Sequence, residues 1–176
     1  MSGNGHRTKA VDPKLVFQAA ESFRAGSLTL ANHGLLPYLF PMVICSAYSL
    51  ELYLKCLILI EGGKSGSIHD LEKLFSKITP ESRKIVRASY EARRPKVNAG
   101  LATIPVPKTD FDFVLHWSAK AFEHFRYAFE GLVHSQEGWM AGPICDCVRE
   151  RIVELRPDWN PKIGCWNALK EAAAKR

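Results

Sequence analysis

Residues 46–60 read SAYSLELYLKCLILI, an almost wholly apolar run in which two charges, Glu51 and Lys55, stand four residues apart. At about 100° per residue both charges fall in one narrow sector of a helix, flanked by Ile44, Tyr48 and Ile58. The remaining sides are apolar too, and a helix that is hydrophobic all round is buried all round. The run therefore predicts a central core helix with an ion pair facing protein and not bulk water. Desolvation of such a pair costs several kcal/mol per ion, so further partners must complete its hydrogen bonding. A surface i,i+4 pair, worth only a few tenths of a kcal/mol, is the plainer alternative.

Outward from this run the whole chain carries apolar residues at helical spacing, with no convincing strand alternation, which predicts an all-α fold. A first helix is expected after Asp12, with Pro13 in its first turn and Leu15, Val16, Ala19 and Phe23 as its inner face, stopped by Ala25-Gly26-Ser27. The central helix is expected to start near Pro41 and to end at the Gly62-Gly63 pair. Ser67 and Asp70 suggest a capping box for the next helix, and Pro80 opens another. Residues 95–109, PKVNAGLATIPVPKT, hold three prolines and no periodicity, and read as a loop. In the second long helix, from Asp110, the buried stripe is Phe111, Val114 or Leu115, Ser118, Phe122, Phe125, Phe129 and Leu132. A last helix spans GPICDCVRERIVEL, residues 142–155.

With 176 residues, 47% of them hydrophobic, one core is expected, preceded by a polar tail over residues 1–11. That tail has no apolar stretch of the secretory kind, and five scattered cysteines fit a reducing, cytoplasmic compartment. Residues 35–60 have the length of a membrane span, but Pro37, Pro41, Glu51 and Lys55 interrupt them, so a buried helix is expected and no membrane partner. The net charge of +6 and the pI of about 9.1 suit a polyanion. Arg83, Arg87, Tyr90 and Arg94 fall near one helical face, cations with an interleaved ring, as nucleic-acid binding would use; a solvated surface face is the alternative. Cys145, Cys147 and Cys165 lack a fourth metal ligand, so no metal is expected, nor any cofactor.

Candidate partners for Glu51 and Lys55 are Glu123, Arg126, Tyr127 and Glu130 on one flank of the second long helix, and His69 with Asp70 beyond the glycine turn. For Asp70 the structural alternative is a helix N-cap.

Ser49, Glu51, Leu52, Leu54 and Lys55, then His69-Asp70-Leu71, and later Arg126, Tyr127 and Glu130, form a pattern that resembles the HEPN family, the higher eukaryotes and prokaryotes nucleotide-binding domain. The resemblance covers residues 12–135; residues 136–176 would be a C-terminal helical extension. It implies a bundle of about four to five core helices that pairs as a homodimer, binding RNA or nucleotides in defence, toxin–antitoxin or RNA-processing systems, in some cases with a nucleotidyltransferase or a defence-system partner. Active members are metal-independent endoribonucleases carrying Arg and His with four to six residues between them. Here seven residues separate Arg126 from His134, which turns the two about 80° apart on an ideal helix. A bend at Gly131 or a second subunit would have to restore convergence. Under that reading Arg126 and Lys55 would hold phosphate, and His134 or His69 would move the proton.

Overall fold

The computed structural model describes residues 11–33, 35–100, 109–126 and 141–159, the side chains of 35–37, 96–100 and 120–126 apart. Over these residues the chain is an all-α bundle: α1 (Pro13–Asn32), α2 (Leu35–Ile60), α3 (Leu71–Lys77), α4 (Pro80–Gly100), α5 (Phe111–Arg126) and α6 (Ala141–Leu155), closed by a 3-10 turn, Pro157–Trp159. No strand occurs among the described residues.

Helix α2 is the hub, packing against α1, α3, α5 and α6. Its Leu50, Tyr53, Leu54, Cys56, Leu57 and Ile58 are all buried, which is how an apolar run over every face is satisfied in water. The segment Tyr38–Ile60 is apolar and long enough to cross a membrane, and most of it lies inside the protein. Phe111, Val114, Leu115 and Ser118 of α5 point into the same core, as their spacing requires. Phe122, Phe125, Phe129 and Leu132 lie outside the residues whose side chains are described.

Several boundaries differ from the sequence reading. Helix α1 does not stop at residues 25–27 but runs on to Asn32, where the His33 N–H closes on Leu30. Gly26 faces α2, and a Cβ there would sit 4.0 Å from Cys45 Sγ. That is ordinary van der Waals contact, so alanine would also fit, and the packing of α1 along α2 carries the helix through a glycine that costs its interior roughly 1 kcal/mol. The inner face of α1 is also turned: Phe17 and Ala20 are buried, whereas Leu15 is 63% exposed. Phe23, half out, lays its ring edge against Tyr48 at 4.5 Å.

Helix α2 begins at Leu35, so Pro41 stands inside it and gives up one backbone bond without ending the helix. Pro95 is likewise inside α4, which continues to Gly100 where a loop was expected. The capping box is corrected as well. Asp70, not Ser67, is the N-cap of α3, and its Oδ1 accepts the Lys73 N–H at 3.1 Å.

That bond holds the Asp70 carboxyl below the usual carboxylate range. A depressed folded pKa means stability that is present above the unfolded value of about 4 and lost as pH falls through the folded one. Asp70→Ala should therefore cost about 1 kcal/mol in urea unfolding at pH 7, and the difference from the parent should vanish in strong acid.

Candidate functional site

The turn after α2 folds the chain back on itself. Gly62, at φ +81°, occupies the left-handed position that an L side chain rarely adopts, and its N–H bonds Leu59 O at 3.1 Å while Gly63 N–H bonds Ile58 O at 2.9 Å. This paired closure is a Schellman C-cap. The reversal, completed at Gly66 (φ +59°), returns Ile68 to the core and His69 to the flank of α2.

There His69 meets the pair that the opening run contains. Glu51 is 2% exposed, and its Oε1 accepts from Lys55 Nζ at 2.7 Å and lies 3.0 Å from His69 Nδ1. The Lys55 side chain is 15% exposed and that of His69 73%. A carboxylate has no proton to give, so His69 Nδ1 is the donor and the neutral ring carries its proton there. One buried anion thus fixes a largely shielded ammonium and an exposed imidazole.

Of the residues expected in this cluster, Glu51, Lys55 and His69 come together. Asp70 sits beside them as a cap, and Ser49 is turned away, its Oγ donating to Ala20 O at 2.9 Å. Arg126 ends α5, with its side chain outside the described set, as are Glu123, Tyr127, Glu130 and His134.

The α4 stripe is a different matter. Tyr90 is fully buried, donates its hydroxyl to Thr109 O at 2.9 Å and meets Phe111 edge-on at 5.5 Å, so its ring is not offered to a base. Arg87 forks onto Asp112 at 2.8 and 2.6 Å and covers Phe111 at 4.6 Å. This fork holds the Asp112 carboxyl below its ordinary value. Arg94 pairs with Glu91 at 3.1 Å. Arg83 bonds only a neutral acceptor among the described residues, Ser76 O at 2.8 Å, and keeps its charge uncompensated.

A second polar network, which sequence reading missed, lies where α1, α2 and α6 meet. Glu21 takes the Tyr53 hydroxyl and Arg149 Nε, while Arg24 Nε and Nη2 bind Asp146 Oδ1 at 2.9 and 2.6 Å. Burial foremost, then the Glu21 charge, pushes the Tyr53 phenol well up. The signal was present as Glu21/Arg24 and Asp146/Arg149, opposite charges three apart on two helices, but nothing in the spacing says that α1 and α6 are neighbours. Beside it is a recess of about 50 Å³ lined by Arg24, Ser46, Ser49, Cys145 and Asp146 among others. It has room for a few waters and not for a nucleoside.

Cys145 is buried, and its thiol is pushed up to about 12 by that burial. All four described cysteines are free, and no trio of metal-ligating side chains occurs among the described residues.

Fold and site together define an α-helical bundle whose hub helix carries a buried carboxylate shared by a lysine and an exposed histidine. No family model, curated protein or solved structure matches the chain.

Proposed function

We propose that this chain is a nucleotide- or RNA-binding module of HEPN type. In this reading it acts as a homodimer in the cytoplasm, within a defence, toxin–antitoxin or RNA-processing system, beside a nucleotidyltransferase or another defence-system partner. The observation that carries the reading is the Lys55 and His69 pair held on one buried oxygen of Glu51, at the motif positions on which the family resemblance rests. Two nitrogen groups fixed at a bundle edge, on a chain of net charge +6, suit a phosphate. Arg83 adds an uncompensated cation on α4.

Binding of labelled single-stranded RNA, followed by fluorescence anisotropy across a salt series, tests the proposal. Affinity should fall as salt rises, and Arg83→Ala should weaken binding and reduce the salt slope by about one. His69→Ala should weaken binding by severalfold. Absence of saturable binding to RNA and to mononucleotides at low ionic strength would remove the reading.

A second reading, metal-independent endoribonuclease, is favoured by one specific feature: an exposed histidine whose Nδ1 is anchored on a buried carboxylate, the arrangement that orients an acid–base imidazole. Cleavage of RNA in chelator, abolished by Arg126→Ala with His134→Ala, would support a composite dimer cleft as the centre.

A further inference from the structure

We infer that the exposed end of the α1–α2 hairpin is a self-association surface, and that its occupant is the same end of a second copy of this chain. The inference rests on the homodimer in the proposed function but on none of its nucleic-acid chemistry, and it places the contact at the end of α2 away from the glycine turn.

From Ala25 to Leu50 the chain carries no Asp, Glu, Lys or Arg, whereas 26 residues at its average of 24% charged would hold about six. Burial accounts for this over Met42, Val43, Ala47 and the turn that follows. It does not do so nearer the end, where Leu28 is 49%, Tyr38 41% and Phe40 44% exposed. Ser27 Oγ donates to Met42 O at 3.1 Å, and the His33 and Tyr38 rings stand 6.4 Å apart. These levels fix the pairing of the two helices and put Leu28, Tyr38 and Phe40 within about two turns, roughly 10 Å, of one another along it. Inside this end Met42, Val43 and Ala47 form an apolar cluster of their own, separate from the main core, with Leu30, Leu39 and Ile44 only partly buried against it. Two helices alone leave the margins of such a cluster wet; a second helical pair closes it, as in a four-helix bundle.

The charge pattern selects the occupant. In a two-fold interface a patch faces its own copy, so a charged patch meets like charge, which is costly. Two copies of a chain of net charge +6 repel one another, and residues 25–50 are the longest run over which they can meet without apposing like charges. A bilayer is the poorer fit, because surfaces that dock on anionic lipid flank their apolar residues with Lys and Arg. Here the cations bounding the run are Arg24, bound to Asp146, and Lys55, bound to Glu51. A charged peptide or a polyanion would find no counter-charge within the run. Beside its apolar side chains this end offers uncharged hydrogen-bonding groups, exposed Thr29 and Asn32 and the Tyr38 hydroxyl, the combination of aromatic centre and polar rim that suits an interface between proteins.

Sedimentation velocity over a dilution series tests the assignment. The parent protein should sediment as a dimer, at twice the chain mass of 19.7 kDa. Leu28→Glu with Tyr38→Glu sets like charges against one another across the two-fold axis and should weaken the dimer about 100-fold or more. Tyr38→Ala, a milder change, should weaken it about tenfold. These positions are exposed, so both variants should melt with the parent protein, which separates association from folding. Leu15→Glu, 63% exposed and outside the run, should leave the dimer intact. A parent protein that is monomeric throughout overturns the inference. A dimer that persists in the double variant also overturns it, by placing the contact elsewhere. Co-sedimentation of the parent with vesicles of phosphatidylserine and phosphatidylcholine, lost in the double variant, overturns it in favour of a bilayer. RNA binding is read separately. A dimer dispersed by the double variant supports the surface even where the parent binds no RNA, and saturable RNA binding by a monomeric parent overturns the surface and leaves the nucleic-acid reading standing.

Discussion

Glu51→Ala should lower the free energy of unfolding by about 3 kcal/mol, measured by urea denaturation near neutral pH, the low end of the range for breaking a buried ion pair because Lys55 is partly solvated. The carboxylate is almost entirely out of water and binds both Lys55 and His69 through one oxygen. Truncation leaves the Lys55 ammonium 15% exposed with no counter-charge among the described residues, which is costlier than the loss of the attraction itself. The exposed pair Arg94 and Glu91, 43% accessible on each side, is the control: Glu91→Ala should change stability by less than about 0.5 kcal/mol.

The double variant Glu51→Met with Lys55→Met sharpens the test. When both charges are replaced by apolar groups of similar size, neither desolvation cost remains, so the double variant should be more stable than Glu51→Ala and close to the parent. His69 then loses its anchor while the fold persists. A protein kept stable but deprived of site function by that pair of changes would show that Glu51 serves the site more than the bundle. A loss below about 0.5 kcal/mol for Glu51→Ala would instead mean that water reaches the carboxylate.

The fold class, the hub helix and the Glu51–Lys55 pair were legible because all three follow from periodicity within one segment. An i,i+4 spacing puts two side chains together whatever surrounds them, and an all-round apolar helix has to be covered. His69 joined that pair because the glycines at 62 and 63 could be read as a helix stop, although the closeness of approach depends on a chain reversal whose geometry no spacing encodes. What covers a helix is the part that stayed hidden. Helices α1, α2 and α4 run on through Gly26, Pro41 and Pro95, and since α1 packs on α2 and α4 on α5 and α6, a local breaker does not decide where they end. The Glu21, Tyr53 and Arg149 network was missed for the same reason, since its members come from three helices.

The stripe Arg83, Arg87, Tyr90 and Arg94 brings that limit to a measurable point. Periodicity correctly gave these residues a common face, but α5 covers part of it: Asp112 takes Arg87, and Phe111 packs against Tyr90. Tyr90→Ala should therefore destabilise the bundle by about 3–5 kcal/mol, the usual cost of emptying an aromatic site in a core. Tyr90→Phe, which keeps the ring and gives up only the bond to Thr109 O, should cost about 1 kcal/mol. Burial also pushes the Tyr90 phenol up to about 12. A folded pKa above the unfolded value of about 10 gives stability that is complete below pH 10 and lost as pH rises toward 12, so the parent protein should weaken in that window more steeply than Tyr90→Phe. In RNA binding the order reverses. Tyr90→Phe should leave affinity within about twofold, while Arg83→Ala, which removes a cation with no carboxylate on it among the described residues, should weaken it and flatten the salt dependence. Lost affinity in a Tyr90→Phe protein of undiminished stability would assign the Tyr90 hydroxyl to the nucleic acid and overturn its place as a donor to Thr109 O inside the bundle.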